Sequence, residues 1–281
     1  MIGLVNPLSN VPVSSKPNGV AGRDFVSWSQ LNTFRRCPLQ YRFRYIDKVK
    51  PEYIASSLLV GSAIHSAIEL HHRRELEGAP LPGLDELEAQ FCAEWKVRTE
   101  DSAEVRFSKR ESDVDAVANL AKRMLNSFLE SPHRHTGGVI IGIEERLSEK
   151  VLEGCRPMLG IVDLVFQSDG YLVVRDYKTA GRKWNQGNAE SNAGQLELYG
   201  ELVKRLMPGR KLRFEFIVLT KSKSPVVERF TVESNRRRIE RTKLIANLTL
   251  DAIATGVFYP NKNPMTRSTC PYQGSCAAWK G

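Results

Sequence analysis

The sequence has no long apolar run, no export signal and no regular cysteine pattern. Its longest strongly apolar stretches reach about ten residues, which is too short to span a bilayer. The N-terminus lacks the succession of basic, apolar and small residues that marks a secretory signal. Five cysteines, an odd number at irregular spacing, argue against a disulfide framework and favour a reducing compartment. We therefore expect a cytoplasmic protein that has no membrane partner.

Three common catalytic motifs are also missing. The G-x-x-x-x-G-K-[ST] loop, the G-x-S-x-G elbow and the H-E-x-x-H helix do not occur, which excludes intrinsic ATP hydrolysis and two large hydrolase classes. Apolar residues make up 41% of the chain and charged residues 26%, a balance that excludes a disordered or collagen-like protein. The 41 Lys and Arg outnumber the 32 Asp and Glu, and the resulting formal charge of +9 favours a polyanionic partner.

The predicted elements place helices first and strands later. Residues 1–24 are rich in Pro, Gly, Ser and Asn, which predicts a flexible arm. Ser27 or Ser29 is expected to cap a first helix that runs to Tyr45. Further helices are predicted at 57–76, 84–97, 111–130, 190–207 and 234–254, and strands at 139–147, 158–166, 171–177, 212–220 and 225–232. This order predicts an α/β or α+β core behind a helical N-terminal region.

A tight hairpin is the most informative local pattern. Asp169-Gly170 stands between two apolar segments, which predicts a two-residue type I′ turn. In a hairpin with that turn, the numbers of paired residues sum to 339, so Asp163 lies opposite Asp176. Directly opposed residues have Cβ atoms about 4.5–5.5 Å apart on one face of the sheet.

The opposed carboxylates need a compensating cation. Lys178 lies two residues beyond Asp176 and therefore shares its face of the strand. Two carboxylates in a buried sheet repel each other and lose hydration. Lys178 can neutralise one charge, whereas a divalent ion such as Mg²⁺ or Mn²⁺ would neutralise both, since such hard ions prefer oxygen ligands. The alternative is that the strand ends are exposed and that Asp176 and Lys178 form a surface ion pair.

Five segments of the chain occur in the same order as in a known family, within a match that spans about residues 27–278. They are S-W-S-Q-L-N-T-F-R-R-C-P-L-Q-Y-R-F-R-Y-I (27–46), L-V-G-S-A-I-H-S-A-I-E (59–69), G-I-V-D (160–163), D-Y-K-T (176–179) and Q-L-E-L-Y (195–199). Their order resembles the PD-(D/E)XK nuclease superfamily, above all its RecB-like branch, which includes the CRISPR-associated RecB-like exonucleases.

This resemblance implies an α/β fold with a restriction-endonuclease-like mixed central sheet flanked by helices. It further implies a single nuclease domain at 25–281, with a helical insert at about 78–135 and a cysteine-containing segment at 260–281.

The resemblance also implies site residues. The metal ligands would be three side chains and one backbone carbonyl, in chain order His65, Asp163, Asp176 and Tyr177. The catalytic residues would be Asp163, Asp176, Lys178, Gln195 and Tyr199. Lys178 would position or activate the attacking water, and the Gln195–Tyr199 pair would orient DNA or the active site.

Other acidic and imidazole side chains are less strongly marked. Glu144 and Glu145 lie on the strand before the hairpin, where one of them could join the metal ligands, but a solvated edge is favoured. His71 and His72 match no motif and are expected to face solvent.

The family resemblance extends to an iron–sulfur site. In the RecB-like branch, one cysteine of the opening helix and three near the C-terminus often hold a 4Fe–4S cluster. Cys37, Cys270 and Cys276 match three of these places, and Arg267 occupies the fourth. Because such clusters usually need four thiolates, the alternative is that the three cysteines pack as small apolar side chains.

Basic residues follow the opening helix and the last helix. The candidates for nucleic-acid binding are all arginines: Arg35, Arg36, Arg42, Arg44, Arg237 and Arg241. Aromatic residues are interleaved with the first four, which suits a DNA strand, since cations bind phosphates and rings stack on bases. The alternative places most of the aromatic rings in the core and leaves the second basic run as a solvated face.

Two functions follow from these observations. The first is a metal-dependent deoxyribonuclease, more plausibly an exonuclease than an endonuclease, acting on single-stranded DNA ends in recombination, repair or CRISPR adaptation. A helicase or a recombination or CRISPR protein would then be its partner. The alternative is a non-catalytic nucleic-acid-binding subunit of a recombination or adaptation complex. The intact Asp163, Asp176 and Lys178 favour catalysis.

Overall fold

A computed structural model describes residues 25–100, 104–108, 111–152 and 156–281. The predicted arm at 1–24 lies outside the described residues. Within those ranges, every helix is too short or too polar to cross a membrane.

The predicted helices and strands occur in the predicted order, among shorter elements that the sequence analysis did not predict. The strands are β1 (Val26–Ser27), β2 (Tyr53–Ala55), β3 (Glu104–Arg106), β4 (Val139–Glu149), β5 (Met158–Ser168), β6 (Tyr171–Ala180), β7 (Lys211–Thr220) and β8 (Val227–Glu233). The α-helices are α1 (Trp28–Arg36), α2 (Pro38–Tyr41), α3 (Ser56–Glu77), α4 (Leu84–Glu100), α5 (Val114–Glu130), α6 (Gln186–Asn192), α7 (Gly194–Leu206), α8 (Arg236–Ala254), α9 (Pro264–Ser268) and α10 (Gln273–Ala278). A π-helical turn (Arg42–Ile46) follows α2, and a 3-10 turn (Pro132–Arg134) follows α5.

The opening helix is interrupted where the sequence predicts a continuous one. It begins after Ser27, whose side chain accepts a hydrogen bond from the backbone N–H of Gln30. It ends at Cys37, which has an extended backbone (φ −161°, ψ 109°). Pro38 explains this break because a proline disfavours helical geometry in the residue before it. Ser27 is thus the cap, and α1 stops short of the predicted end at Tyr45.

A mixed sheet forms the centre of the protein, as predicted. β5 pairs antiparallel with β4 along one edge, and its other edge is shared between β1, which is parallel, and β6, which is antiparallel. β7 runs parallel to β6, and β8 pairs antiparallel with β7. β2 and β3 form a separate parallel pair.

Helices cover both faces of this sheet. On one face, α7, α8 and α1 bury a cluster that includes Leu196, Ala246 and Leu31. On the other face, α3, α4 and α5 bury a cluster that includes Ile64, Phe91 and Leu125. The apolar side of each helix therefore packs against one face of the sheet, and this packing determines the positions of α3 and α7 relative to the strands.

A gap between neighbouring strands positions the candidate site. β1 pairs with β5 at residues 158 and 159, and β6 pairs with it at 164–168, so in the described strands residues 160–163 have no ladder partner on that edge. α7 fills the space beside the gap at Gly160. A Cβ atom there would lie 2.7 Å from Leu202 and 2.8 Å from Tyr199, so only glycine fits.

Candidate active site

The hairpin has the predicted register. The ladder of β5 and β6 runs from Leu164 opposite Arg175 to the turn, and the numbers of every pair sum to 339. Both turn residues have positive φ angles, 50° and 76°, as a type I′ turn requires. The next pair outward would be Asp163 and Asp176, and the ladder ends just before it. Both aspartates therefore stand where the two strands begin to separate.

Asp163 connects the gap in the sheet to α3. Its Oδ2 atom accepts a hydrogen bond of 2.8 Å from the backbone N–H of Tyr177. The same oxygen lies 3.4 Å from Nδ1 of His65 on α3. His65, Asp163 and Glu144 each offer a ligand atom, and these atoms lie within 4.8 Å of one another. One imidazole and two carboxylates at this spacing fit a divalent cation.

Glu144 lies inside this group, so the expectation of a solvated edge is wrong. Burial, followed by the charges of Asp163 and Glu69, raises the pKa of Glu144 to about 8. The residue has a left-handed backbone with φ of 50°. A register shift between Ile140 and Gly142 precedes it in β4. The pairs on either side, Ile143 with Leu164 and Glu145 with Val162, place Glu144 opposite Asp163. Strict strand alternation from the start of β4 does not predict this, because it does not include the register shift.

Asp176 is the buried carboxylate of the site, with 2% of its surface exposed. Burial raises the pKa of Asp176 to about 6, against the opposing charge of Lys178 and with a further upward contribution from Asp163. Nζ of Lys178 lies 3.0 Å from Oδ1 and 2.7 Å from Oδ2. Among the described residues, Oδ2 nevertheless has no hydrogen bond of acceptable geometry. A buried acceptor left in this way is suited to a cation.

Lys178 is held from both sides. Its Nζ donates to Oδ1 of Asp176 and, at 2.9 Å, to Oε1 of Gln195 on α7. Burial alone would lower the pKa of Lys178, but the charges of Asp176 and then Asp163 outweigh it and raise that pKa. The ammonium group therefore stays protonated at neutral pH. Tyr199, one helical turn after Gln195, is buried, and burial raises the pKa of its phenol against a hydrogen bond with Gln195.

Tyr177 contributes its backbone to the site and its side chain elsewhere. The N–H group binds Asp163, whereas the ring packs among the apolar residues between the sheet and α3. Its hydroxyl lies 2.6 Å from Nε2 of His72, and both His72 and His71 have only 1% of their surface exposed. The expectation that these histidines face solvent is therefore wrong. They continue the apolar stripe of Ile64 and Ile68 along α3, and that spacing could have indicated their burial.

Two clefts meet at Lys178. One has a volume of about 640 Å³ and is lined by Trp28, Arg35, Gln195 and Arg241 among others. The second is lined in part by Gly61, His65, Thr179 and Lys221. The protonated amine therefore lies where a ligand crossing from one cleft to the other would pass.

The predicted DNA-binding arginines differ in their contacts. Arg35 and Arg241 line the first cleft together. Arg36 donates to Thr269, and Arg42 pairs with Asp47 at 3.1 Å. The other two are exposed, Arg44 against the ring of Tyr45 and Arg237 on α8. The structure also buries Phe34, Phe43 and Tyr45, in agreement with the alternative that most of these rings belong to the core.

The cysteines of the expected iron–sulfur site do come together. Cys37, Cys270, Cys276 and Arg267 line one cavity of about 420 Å³. Sγ of Cys37 accepts a hydrogen bond of 3.3 Å from the backbone N–H of Asn261. Three thiols and a guanidinium are not the usual four-thiolate set, so these residues do not fit a 4Fe–4S cluster in its usual form.

Known proteins resemble this chain in sequence and in fold. The Gene 69 protein of Mycobacterium phage D29 is 26% identical over 283 residues, which cover 90% of this chain and 97% of that protein. The crystal structure named "Putative exonuclease" from Eubacterium rectale aligns with a TM-score of 0.56 at 14% identity, covers 88% of both chains and shows a similar fold. A family model described as the PD-(D/E)XK nuclease superfamily matches residues 26–277. The chain therefore belongs to the PD-(D/E)XK nuclease superfamily.

Proposed function

We propose that this protein is a metal-dependent deoxyribonuclease that shortens single-stranded DNA from an end. The observation that carries the proposal is the pairing of protonated Lys178 with buried Asp176, beside the ligand group of His65, Glu144 and Asp163. Nucleases of this superfamily use divalent metal ions. The acidic pair, the adjacent ammonium and the cleft that leads to them support hydrolysis of a phosphodiester.

The residues at the gap fit a divalent metal. The carboxylates of Glu144 and Asp163 are hard oxygen donors, and His65 adds an imidazole nitrogen. Asp176 is not a member of that group of ligand atoms, and its Oδ2 atom lies 2.7 Å from Nζ of Lys178. A fourth oxygen from the Tyr177 carbonyl stays a prediction from the family resemblance. A divalent ion held by these residues would neutralise phosphate charge and lower the pKa of a water molecule beside the scissile phosphorus.

The protein groups around the metal have separate tasks. Lys178 faces the site as a fixed positive charge, and such a charge stabilises the extra negative charge that develops on the phosphate in the transition state. Gln195 accepts a second hydrogen bond from the ammonium group, which restrains the position of the amine. Tyr199, which bonds to Gln195, fixes the amide in turn.

The first cleft supports a nucleic-acid substrate. Arg35 and Arg241 place two cations along the route to Lys178. The guanidinium of Arg35 lies 5.9 Å from the ring centre of Trp28, which also lines that cleft. Cations that track phosphates beside an aromatic ring are typical of single-strand binding, because unpaired bases can stack on the ring.

The test compares wild-type protein with Lys178→Met on end-labelled linear single-stranded DNA in Mn²⁺. We expect the variant to lose about 100- to 1,000-fold in cleavage rate, the usual effect of removing one electrostatic contact in a transition state. Lys96→Met, on the exposed face of α4, is the matched control and should cleave at the wild-type rate. Equal rates for Lys178→Met and wild type would exclude the assigned site.

The same assay tests whether cleavage needs a DNA end. An exonuclease should release short products from linear DNA and leave circular single-stranded DNA intact, because a circle has no end. Cleavage of the circle at a similar rate would instead make the enzyme an endonuclease on the same site.

A further inference from the structure

A second group of side chains that could hold a metal ion lies on α3, six to ten residues beyond His65 of the proposed nuclease centre. Its central member is His71, which is 1% exposed. Neither ring nitrogen of His71 has a hydrogen-bond partner among the described residues. Burying an imidazole with both nitrogens unsatisfied is costly, so such a side chain calls for a ligand.

Three residues lie close to His71, namely His72, Glu75 and His135. His71, His72 and Glu75 each present a ligand atom, all within 4.8 Å of one another. Nδ1 of His72 lies 2.8 Å from Oε2 of Glu75. On the open side of the group, Nδ1 of His135 lies 3.8 Å from Oε1 of Glu75, and the rings of His135 and His71 are 6.0 Å apart.

The protonation states suit metal binding. Burial lowers the pKa of His71 to about 4 and also lowers that of His72, so both rings are neutral and have a free lone pair near pH 7. Burial tends to raise the pKa of Glu75, but the hydrogen bond and charge of His72, the hydrogen bond from the Thr136 backbone and the charge of His135 together lower it below its usual value. The group thus combines two neutral imidazoles with one carboxylate.

We propose that His71, His72 and Glu75 bind a transition-metal ion such as Zn²⁺, with His135 or a water molecule in the fourth position. Imidazole nitrogen with one carboxylate oxygen is a ligand set that suits Zn²⁺, whereas Mg²⁺ prefers oxygen alone. The spacing supports this, because residues four apart on a helix share a face and His71 and Glu75 are four apart. This site is separate from the nuclease centre and needs none of its residues.

Tyr177 connects this site to the nuclease centre. Nε2 of His72 lies 2.6 Å from the Tyr177 hydroxyl, and the Tyr177 backbone N–H donates to Oδ2 of Asp163 at 2.8 Å. A metal on Nδ1 of His72 would leave Nε2 as an N–H donor to Tyr177, as is usual for the second nitrogen of a metal-bound histidine. The ion would thereby hold the tautomer of His72 and the position of the β6 segment that carries Asp176.

The competing explanation is simple aromatic packing. The ring of His71 stands edge-to-face against Phe128 at 5.2 Å, so His71 could serve only as a core side chain. A phenylalanine at position 71 would keep that contact and lose both nitrogens. The two explanations therefore give opposite results for His71→Phe.

Every protein in the experiment is the full chain carrying Asp163→Asn. This substitution weakens metal binding at the proposed nuclease centre and keeps a polar side chain at position 163. Zn²⁺ bound per chain is counted after dialysis, and the shift of the thermal midpoint with added Zn²⁺ is measured. We expect His71→Phe to bind one equivalent less than its Asp163→Asn parent and to show a smaller zinc-dependent shift. Zinc on the cysteines would be the same in both proteins and would cancel from the difference.

Glu75→Gln provides a second variant, since its side chain is 20% exposed and the substitution keeps its size. We expect its zinc affinity to fall about tenfold or more, the scale that loss of a supporting contact already produces. If His71→Phe does not fold, this variant decides the question. The proposal is overturned if the Asp163→Asn parent does not bind at least one equivalent of zinc per chain. It is also overturned if Glu75→Gln and a folded His71→Phe bind as much zinc as the parent, with the same affinity. Neither result depends on nuclease activity.

Discussion

Replacing Glu144 by glutamine should remove most of the pH dependence of metal binding at the proposed nuclease centre. Burial raises the pKa of Glu144 to about 8, and that of Asp176 to about 6. A metal ion binds the ionised carboxylates, so protons compete with it and binding weakens as the pH falls. Glu144 contributes more of this pH dependence than Asp176 does, because Glu144 stays protonated up to a higher pH.

The size of the effect follows from these two pKa values. Between pH 8 and pH 6, competition by the Glu144 proton alone weakens binding about 50-fold, and the Asp176 proton adds a factor of about two. The product is about 100-fold, or about 3 kcal/mol of binding free energy. Glu144→Gln should therefore bind Mn²⁺ more weakly at pH 8 and show a pH ratio about 50-fold smaller than that of wild type.

The assay is calorimetric titration of Mn²⁺ at pH 6 and pH 8, repeated in two buffers of different ionisation enthalpy so that released protons are counted. Wild type should release more protons than Glu144→Gln near pH 7. Glu149→Gln, at the far end of the same strand, is the matched control and should keep the full pH ratio. A pH ratio for Glu144→Gln within twofold of wild type would refute the placement of Glu144 at the metal.

The metal-free protein gives a consistency check with the opposite sign. The folded state holds the Glu144 proton up to about pH 8, whereas the usual pKa is 4.5, so folding binds a proton between these values. Stability of the metal-free protein should therefore fall as the pH rises through that window. Added Mn²⁺ should reverse this trend, since it binds the ionised form.

Three further outcomes are expected. Gly160→Ala should destabilise the fold by about 1–3 kcal/mol in urea titrations, because the new Cβ meets α7, whereas Gly83→Ala has open space and should have little effect. Arg175→Met should cost up to about 3–5 kcal/mol, because buried Glu215 would keep only the longer ion pair with Arg229 at 3.9 Å. Replacing Glu215 by Leu as well should restore most of the loss, and a harmless single variant would contradict this. Arg241→Ala should weaken single-stranded DNA binding and lower its salt slope by about one, whereas an unchanged slope would remove Arg241 from the DNA path.

The hairpin could be predicted because its information is local. A two-residue turn sets the register, which the ladder confirms as far as Leu164 opposite Arg175. Continued alternation predicts Asp163 opposite Asp176, with Lys178 on the same face. The mixed sheet and the superfamily also follow from sequence motifs and are confirmed. The RecB-like branch and the roles of individual site residues stay predictions.

Glu144 could not be placed in the same way. The connection between β4 and β5 is long, so no tight turn fixes the register of β4. The irregularity near Ile140 and the left-handed backbone of Glu144 depend on tertiary packing. Sequence alone therefore identifies a glutamate on the correct strand without showing which way it points.

The long-range contacts of the N-terminal region were also beyond local reasoning. Pro38 could have indicated the end of α1, because its effect on Cys37 is local. The cavity shared by Cys37, Cys270 and Cys276 joins segments more than 200 residues apart, and only the family resemblance brought them together in advance.

The hydrogen bond from the Tyr177 amide to Asp163 has a consequence for how this enzyme can be inactivated. At this point a carboxylate takes the place of the strand carbonyl that would otherwise accept the amide proton. Alanine at position 163 would remove the carboxylate charge and would also leave the Tyr177 N–H group without an acceptor. A loss of activity could then reflect local unfolding of the hairpin. Asparagine retains an oxygen acceptor for the Tyr177 amide. It is therefore the replacement that tests the catalytic role of the carboxylate without removing the hydrogen bond that holds the hairpin.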